Sequence, residues 1–392
     1  MLLSLKSPHV WPRIDHDGVT PGRLMLIDDV RVALRARATL LPAMHAEGTT
    51  CYRLFHGSVE GAPGCTLDRY GDLLLWQTFR EPPEDQIALL ERLREAVEDE
   101  TGVALSALYW NARAKRQQAA SVSSTMPPAP LLRADHTASE LGLHYFVDVP
   151  EQGRDPGLYL DFRAARRYLR EHSRGKSVLN LFAFTCGAGI ASLAGGASAV
   201  VNVDHSEASL RIGRRNCALN GLDEAAFECI SSDALPALRQ YAGMPLNDFR
   251  RGRGNSGGGR GQRGQRGRGP MGGGGGGGGG LPAYPKLPLR QFDLVVLDPP
   301  TWTKSRFGAI DLVRDYQSMF KPCVLATQPG GTVLAVNHAS TVSLEEFTDV
   351  LERCAHKAGR PLADLTVLPP ENDFPSPDGK HTTKMVLARL AE

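Results

Sequence analysis

The sequence predicts an α/β fold with a mostly parallel sheet, helices on both faces and an antiparallel final hairpin, preceded by a smaller N-terminal α+β domain. The 392 residues exceed one ordinary hydrophobic core, so about two domains are expected. From Leu141 onward, apolar strand-like runs alternate with helical patterns, which is typical of a parallel sheet. A Ser- and Pro-rich run at 121–130 indicates a linker. We therefore divide the chain into an N-terminal domain (1–120), a linker (121–140) and a C-terminal domain (141–392).

The N-terminal domain is predicted from short apolar runs separated by Gly-bearing turns. Its helix follows Pro82 and Pro83, carries its apolar residues on one face and ends at Gly102. In chain order, the predicted elements are a strand at Leu24–Ile27, a helix at Val30–Leu41, strands at Tyr52–His56, Cys65–Asp68 and Leu73–Thr78, the helix before Gly102, and a strand at Leu105–Trp110.

The C-terminal domain is predicted from buried strands that end at Gly, Asp or Pro and from helices with recognisable caps. Its predicted strands are Leu143–Val149, Val178–Ala183, Ala199–Val203, Phe227–Ile230, Phe292–Leu297, Thr332–Asn337, Asp364–Leu368 and Lys384–Leu390. Its predicted helices are Asp161–His172, a short one after Gly187, one capped by Ser206 and ended by Gly221, Asp311–Thr327 and Ser343–Ala358.

Composition excludes several classes of protein. The uncharged run Val178–Val203 has the length of a membrane span but is rich in Gly, Ser and Ala, so we expect no membrane segment. The seven cysteines are scattered without a C-x-x-C pair, and the His residues lack zinc-ligand spacing, so we expect reduced thiols and no metal site. No signal peptide is visible. The expected location is cytoplasmic, with an organellar matrix as the alternative, and the oligomeric state, monomer or homodimer, stays open.

An Arg- and Gly-rich segment dominates the charge distribution. Residues 250–268 hold seven arginines and no acid, whereas the whole chain has a net charge of only +2, so the remainder is slightly acidic. Nine consecutive glycines follow at 272–280. Such a segment cannot bury enough apolar surface to fold, so we predict a disordered insertion at 247–290. Two interpretations stay open: a salt-sensitive RNA-binding segment, or a neutral low-complexity expansion.

The first candidate binding feature is a Gly-rich turn that follows a buried strand, in the run VLNLFAFTCGAG at 178–189. Such a turn lets the backbone approach a ligand closely, and the following helix N-terminus supplies N–H groups. The run is not the G-x-G-x-x-G fingerprint, so pyrophosphate binding is not its obvious use. By itself it also fits an ordinary close strand–helix turn.

Two acids follow the next two strands. Asp204 ends the second strand, 17 residues after Gly187, where an acid accepts hydrogen bonds from both hydroxyls of an adenosine ribose. Its alternative role is to cap the helix that begins at Ser206. Asp233 follows the third strand, where it is placed to accept from an adenine amino group or to cap the next helix. Together with the turn, the pair predicts a Rossmann-like sheet that binds a nucleoside.

The third feature is the run Asp298-Pro299-Pro300-Thr301-Trp302 directly after the apolar LVVL. Two prolines at the end of a buried strand form a rigid platform at the carboxyl edge, where α/β sheets bind ligands. An Asp and an aromatic residue there can hold a planar base by hydrogen bonding and stacking. The alternative is a Pro-terminated strand with a buried Trp.

In combination, the runs NLFAFTCGAG, NVDHS, SSDA and LDPPTWTKS resemble class I S-adenosylmethionine-dependent methyltransferases. More narrowly, they resemble the large-subunit ribosomal RNA methyltransferases of the I type and of the K half of the K/L type. YRLFHGSVEGAPGCTLDRYGD (52–72) resembles the hairpin region of the I type. GLYLDFRAARRYL (157–169) resembles the stretch before its cofactor-binding strand, where a Gln usually stands in place of Phe162.

The resemblance implies S-adenosyl-L-methionine as the cofactor, RNA, expected to be ribosomal RNA, as the substrate, and an N-terminal domain that contacts that RNA. The implied cofactor-binding residues are Tyr159, Asp161, Arg163, Asn180, Phe182, Thr185, Gly187, Gly189, Asp204, Ser206, Asp233 and Asp298. The implied catalytic residues are Asp298, Pro299, Pro300 and Trp302.

Three departures from the family bear on the reaction. Residues 1–50 are too short for the family's N-terminal PUA domain. The I type, which methylates C5 of cytosine, carries a Cys in the loop where this chain reads Asn337-His338-Ala339-Ser340, and C5 methylation needs a thiolate. DPPTWTKSR resembles the K half, which methylates a guanine ring nitrogen. We therefore predict methylation of a base nitrogen.

The reaction and the substrate also admit different interpretations. C5-cytosine methylation would need Cys323 or Cys186 as a substitute nucleophile. His338 is expected either to assist the reaction or to act as a structural hydrogen-bonder. The chain also fits a methyltransferase for a protein or a small molecule, or an inactive RNA-binding protein with this fold.

Overall fold

A computed structural model describes residues 27–78, 86–112, 136–147, 156–246, 284–305, 308–311, 313, 315–376 and 378–392. Among these residues, no helix combines the length and the apolar composition required to cross a bilayer.

In the N-terminal part, the described residues form three helices and a four-stranded sheet. Its elements are α1 (Ile27–Arg37), α2 (Leu41–Ala46), β1 (Cys51–Phe55), β2 (Cys65–Tyr70), β3 (Leu73–Thr78), α3 (Gln86–Thr101) and β4 (Ala107–Ala112). The strands lie in the order β1-β2-β3-β4, antiparallel except for the parallel pair β3–β4. Helices α1 and α3 pack against each other, and their apolar residues share a core with the sheet. Gly102, with φ +68°, directly follows α3, as the sequence predicts.

The C-terminal part is built on a seven-stranded sheet. Its elements are β5 (Thr137–Glu140), β6 (Leu143–Phe146), a 3₁₀ turn at Leu160–Phe162, α4 (Arg163–His172), β7 (Ser177–Leu181), α5 (Gly187–Ala194), β8 (Ala199–Asp204), α6 (Glu207–Leu219), a 3₁₀ turn at Glu224–Ala226, β9 (Phe227–Ser231), α7 (Ala234–Tyr241), β10 (Phe292–Leu297), β11 (Trp302–Ser305), β12 (Gly308–Asp311), α8 (Tyr316–Leu325), β13 (Thr327–Asn337), α9 (Leu344–Lys357), β14 (Leu362–Leu368) and β15 (Lys384–Leu390).

The order of strands in the large sheet is β14-β15-β13-β10-β7-β8-β9. Strands β13, β10, β7, β8 and β9 run parallel, so their carboxyl ends meet at one edge. The last strand, β15, runs antiparallel to both of its neighbours, β13 and β14. The predicted antiparallel final hairpin is thus confirmed. One apolar cluster packs on each face of the sheet, which is the two-layered burial expected of a parallel sheet.

The structure corrects four predictions of local structure. The predicted helix Asp311–Thr327 begins only at Tyr316, because β11 and β12 form an antiparallel hairpin directly after Pro300. The run Thr327–Gly331 belongs to β13, which is therefore longer than predicted at its start. Ile27, predicted to end a strand, begins α1, and the predicted single helix ending at Leu41 is two helices.

Two predicted boundaries also move. The last four residues of the predicted linker form β5, which pairs with β6 because the turn at Leu141 and Gly142 has left-handed backbone at both positions. The predicted insertion, 247–290, is too long at its end, since Leu287 and Arg290 donate backbone hydrogen bonds to Gln240 and Tyr241. The rest of that insertion, the linker at 121–135 and the predicted elements before Ile27 lie outside the described residues.

Candidate active site

The loop after β7 has an unusual backbone. Phe182, Phe184 and Cys186 have φ values of +56°, +49° and +64°, a left-handed conformation that residues other than glycine rarely adopt. Strained non-Gly residues cluster at ligand sites, and left-handed turns point backbone N–H groups into concavities that bind polar ligands. The predicted binding turn is therefore a shaped loop at the carboxyl edge of the sheet.

Three hydrogen bonds hold this loop from different directions. The Thr185 hydroxyl donates to the Gly157 carbonyl at 2.5 Å, and the Asn216 amide donates to the Thr185 carbonyl at 3.2 Å. The backbone N–H of Phe184 donates to a carboxylate oxygen of Asp204 at 2.8 Å. Thr185 and Asn216 are buried, so these bonds are shielded from water and maintain the strained backbone. The structure thus gives Thr185 the role of shaping the loop.

Asp204 lies at the end of β8 and joins the loop to the next helix. Its second carboxylate oxygen accepts from the Ser206 backbone N–H at 2.8 Å, and Ser206 caps α6 by accepting from the Ser209 N–H at 3.2 Å. Both roles predicted for this segment are compatible, since an ionised carboxylate accepts up to four hydrogen bonds. The ribose contact of Asp204 stays a prediction.

An aromatic pair lies at the same loop, formed by Phe184 of the loop and Tyr159 beside it. The rings of Tyr159 and Phe184 lie 5.3 Å apart at 45°, and Tyr159 is 46% exposed although it is large and apolar on its faces. Asp233 is half-buried at the N-terminus of α7, and its side chain makes no capping bond there. Exposed aromatic faces beside acidic acceptors fit the planar base and the ribose of a nucleoside.

Asn180 and the glycines occupy positions below this surface. Asn180 is buried and donates to the Asn202 side chain at 2.9 Å, so the structure gives it a bond between strands where the sequence predicts a cofactor contact. A Cβ on Gly189 would lie 2.2 Å from Asn202 Oδ1, and one on Gly187 would lie 3.2 Å from Leu158 Cδ1. Gly189 therefore allows α5 to approach the sheet closely, and Gly187 allows it to approach the segment before α4.

We predict that Gly189→Ala destabilises the protein by about 2–3 kcal/mol, because the new methyl group displaces the fully buried Asn202 and breaks its bond to Asn180. Urea unfolding of both proteins measures this difference. In the double variant Gly189→Ala/Asn202→Ala the clash is relieved, so its destabilisation should be smaller than the sum of the two single effects. Strict additivity would contradict the steric explanation.

Arg163, predicted to bind the cofactor, lies in a buried ionic cluster, and its contact with the cofactor stays a prediction. Its side chain is fully buried, and its three nitrogens donate to Glu140 Oε2 at 3.1 Å, to Asp373 Oδ1 at 2.9 Å and to the Cys51 carbonyl. Arg166, also buried, donates to both Glu140 oxygens. Arg163 therefore connects β1 of the N-terminal sheet, the β5–β6 hairpin and the loop between β14 and β15.

His338, for which the sequence leaves two roles open, lies beside Asp298. Its Nε2 is 2.7 Å from Asp298 Oδ1, and its Nδ1 is 3.2 Å from the Thr383 hydroxyl oxygen. Thr383 in turn donates to Asp161 Oδ2 at 2.8 Å. Asp161, predicted to bind cofactor, is thus joined to the acid predicted to hold the base. No local signal in the sequence indicates these pairs, since their partners are 40, 45 and 222 residues apart.

Electrostatics favour a charged His338. Burial alone would lower the pKa of this imidazole, but the adjacent carboxylate of Asp298 and the more distant one of Asp161 outweigh burial and raise the pKa from 6.5 to about 8. The Lys384 ammonium opposes them. Because the folded-state pKa is raised, this pairing stabilises the fold fully below pH 6.5 and loses its effect as the pH rises through about 8.

The remaining predicted catalytic residues follow Asp298 directly. Pro299 is buried and Pro300 is exposed, and they end β10 at the sheet edge as predicted. Trp302 begins β11, where it pairs with Asp311 across the hairpin. The predicted stacking of Trp302 on a base stays a prediction.

All seven thiols are free, and the two candidate nucleophiles are inaccessible to a base. Cys323 lies in α8, and Cys186 packs against Gly213 of α6; both are fully buried. Burial raises the pKa of both thiols well above the usual range, which opposes formation of a thiolate.

Comparisons with known proteins match this site. Residues 52–238 match the family described as S-adenosylmethionine-dependent methyltransferase, a segment that includes the shaped loop, Asp204 and Asp233. The protein is an S-adenosylmethionine-dependent methyltransferase. Its cofactor is S-adenosylmethionine. That the loop, the two acids and the Tyr159–Phe184 pair bind it stays a prediction.

Curated relatives extend the match over most of the chain. The methyltransferase is 27% identical to ribosomal RNA large subunit methyltransferase I of Aeromonas hydrophila over 331 residues, covering 84% of this chain and 71% of the relative. It is 28% identical to the Escherichia coli protein of the same name over 320 residues, covering 80% of this chain and 67% of that relative.

Solved structures share the fold. SMU.776 complexed with SAH has a TM-score of 0.67 at 21% identity, covering 95% of this methyltransferase and 84% of that chain. A SAM-dependent methyltransferase from Agrobacterium tumefaciens has a TM-score of 0.52 at 17% identity, covering 88% of this methyltransferase and 91% of that chain. The predicted Rossmann-like class I methyltransferase fold is confirmed.

We predict that Asp204→Ala weakens S-adenosylmethionine binding by at least roughly 10- to 150-fold, because the loss of even one hydrogen bond to a charged acceptor costs about 1.5–3 kcal/mol and the shaped loop loses its support at Phe184. Titration calorimetry measures the affinity. Asp223→Ala is the matched control, since Asp223 is exposed and also accepts a backbone N–H, from Ala225. Equal affinities in the two variants would remove Asp204 from the cofactor site.

Proposed function

We propose that this enzyme methylates a base nitrogen of RNA and that ribosomal RNA is its substrate. The substrate class is supported by its similarity to proteins named ribosomal RNA large subunit methyltransferase I. The choice of nitrogen rests on one observation: the loop at 337–340, which follows β13, carries no thiol, and its His338 pairs with Asp298 at the carboxyl end of β10. Transfer to carbon C5 of a pyrimidine requires a nucleophile that adds to the ring, and nitrogen does not.

The positions of the cysteines support this choice. Of the seven thiols, all of which belong to described residues, only that of Cys229 is partly exposed. It lies on β9, three strands from β10, which corresponds to about 14 Å at the usual strand spacing. A thiolate that adds to a base must touch the ring, so none of these cysteines is placed beside a base held by Asp298.

The residues that follow β10 at the carboxyl edge of the sheet are placed to orient the target base. S-adenosylmethionine supplies the methyl group when it is bound. Asp298 is one-quarter exposed, with a carboxylate oxygen that His338 does not use, so it can accept an N–H from the edge of the target base. The rigid Pro299-Pro300 platform fixes the backbone at that point. Orientation supplies most of the acceleration, since well-oriented reactants gain roughly 7–11 kcal/mol over a bimolecular encounter.

The proposal also covers the role of the N-terminal domain and the cellular compartment. We assign RNA contact to the N-terminal domain, because Arg163 holds it directly against the methyltransferase part. A reducing, cytoplasmic setting is supported by seven cysteines that are all free thiols.

Product analysis tests the reaction. The enzyme is incubated with labelled S-adenosylmethionine and deproteinised ribosomal RNA, and the nucleosides are identified by mass spectrometry. The expected product is an N-methylated base. RNA substituted with 5-fluorocytosine, which traps enzymes that add a Cys to the ring, should form no adduct, and Cys323→Ser should retain activity. Formation of 5-methylcytosine, or an adduct that disappears in Cys323→Ser or Cys186→Ser, would overturn the assignment to nitrogen.

A further inference from the structure

We propose that His338, Thr383 and Asp161 form a positioning chain that fixes the Asp298 carboxylate toward the target base, with His338 acting as a cation. This inference rests on the proposed function in so far as Asp298 is the group that meets the base. Together with Asp298, the chain joins one residue from each of four segments: the end of β10, the loop after β13, the residue before β15, and the 3₁₀ turn before α4.

The direction of the hydrogen bonds determines the protonation of the ring. The single hydroxyl hydrogen of Thr383 is donated to Asp161, so the Thr383 oxygen can only accept from His338 Nδ1–H. At the other end, an ionised Asp298 is acceptor-only, so Nε2 also carries a hydrogen. An imidazole with hydrogens on both nitrogens is an imidazolium. A neutral ring would leave one of the two contacts without a proton between its atoms.

The charges around the ring agree with this assignment. His338 faces the carboxylates of Asp298 and Asp161 and the ammonium of Lys384. The Lys384 ammonium is directed away, since it donates to the carbonyls of Ala339 and Thr382. Two carboxylates around one imidazolium leave a net negative chain, and the 2.7 Å contact to Asp298 is typical of a charge-assisted hydrogen bond. The ring therefore fixes the orientation of the Asp298 carboxylate.

The far end of the chain leads to the cofactor side of the site. Asp161 is two residues from Tyr159, whose ring packs against Phe184 of the shaped loop. Asp298, at the near end, follows β10, the strand next to β7 that carries this loop. The same set of bonds thus fixes the acid that orients the base relative to the loop that binds the cofactor. Because methyl transfer depends on that relative position, a break in the chain should affect the rate more than the binding.

Thr383 provides the test of connectivity. Thr383→Val keeps the shape but removes both hydrogen bonds, and it should lower kcat about tenfold while the KM for S-adenosylmethionine changes by less than about threefold. Thr383→Ser restores the hydroxyl and should retain nearly full activity. Thr366→Val is the matched control, because Thr366 is an exposed residue that donates to Asp364 on β14. Equal losses in the Val and Ser variants would overturn the proposal.

The pH profile tests the charge on the ring. In the wild type, kcat should fall as the pH rises through about 8, where His338 loses its proton. His338→Gln can still donate to Asp298 but cannot titrate, so kcat should be lower, by about 10²-fold, without this alkaline decline. His356→Gln, at an exposed site in α9, should behave as the wild type. A decline near pH 8 that persists in His338→Gln would overturn the proposal.

Nuclear magnetic resonance separates this inference from the proposed function. In protein with isotope-labelled histidine and no RNA, His338 should titrate near pH 8, and Asp161→Asn should lower that midpoint. A midpoint near the ordinary 6.5, or one unchanged in Asp161→Asn, would overturn the chain whatever the substrate. Absence of transfer to ribosomal RNA by the wild type, with the titration as expected, would refute only the proposed substrate.

Discussion

Replacement of Asp298 by alanine is expected to reduce methyl transfer at least 10²-fold while S-adenosylmethionine still binds. The variant removes the acceptor that orients the base, and it leaves the His338 imidazolium without its nearest carboxylate. A displacement of the target by about 1 Å can by itself cost on the order of 10²-fold in rate. Single-turnover transfer with labelled S-adenosylmethionine measures the rate, and calorimetry measures the affinity for the cofactor.

Two further variants serve as controls for the effect of Asp298→Ala on the rate. Asp364→Ala, which removes an exposed acid on β14 that accepts from Thr366, should leave the rate unchanged. Asp298→Asn retains an acceptor oxygen but no charge, so its rate should fall between those of the wild type and Asp298→Ala. If Asp298→Ala lost cofactor affinity and rate in equal measure, Asp298 would belong to the cofactor site that the sequence also predicts for it.

Replacement of Arg163 by methionine is expected to lower the free energy of unfolding by about 3–5 kcal/mol. Methionine fills a similar volume, but Glu140 and Asp373 are then left buried with one fewer cation each. An intact buried ionic cluster contributes little net stability, but removing one of its members is strongly destabilising, because the remaining charges stay buried without their partner. Urea unfolding followed by circular dichroism measures the change.

Arg353→Met is the matched control for Arg163. Arg353 forms an exposed ion pair with Asp349 one turn away on α9, and such pairs contribute about 0.5 kcal/mol or less. A destabilisation no larger than that of the control would show that water reaches the cluster in solution.

The sequence predicts elements well where local signals agree. Three predicted strands, Leu73–Thr78, Phe292–Leu297 and Lys384–Leu390, have the bounds that the structure shows, because each is an apolar β-favouring run bounded by clear breaks. The helix predicted from Asp311 fails because the run Trp302–Asp311 folds back on itself as a hairpin. That pairing depends on neighbouring strands, which no short window of sequence contains.

In the candidate site too, features with a local signal could be predicted from the sequence, and contacts with distant residues could not. The sequence places three features at one edge of the sheet, because each lies at the carboxyl end of a strand and parallel strands bring these ends together: the turn at Gly187, Asp204 and Asp298. Their contacts with ligands stay predictions. The contacts of Arg163 and His338 could not be predicted, for one shared reason. Their roles are set by partners far away in sequence, Asp373 for Arg163 and Asp298 for His338. A titratable side chain shows its partners only after the chain has folded.

The reversal of β15 determines where the gene tolerates insertions and deletions. Because β15 runs opposite to β13, its first residue, Lys384, pairs with Asn337, and Thr383 thereby lies beside His338. A residue lost from the exposed turn at 378–380 shortens only a connection. A residue lost within β15 would shift the register by one, and Thr383 would turn to the opposite face of the sheet. Variation in length should therefore be confined to that turn, while β15 keeps its length even where its side chains vary.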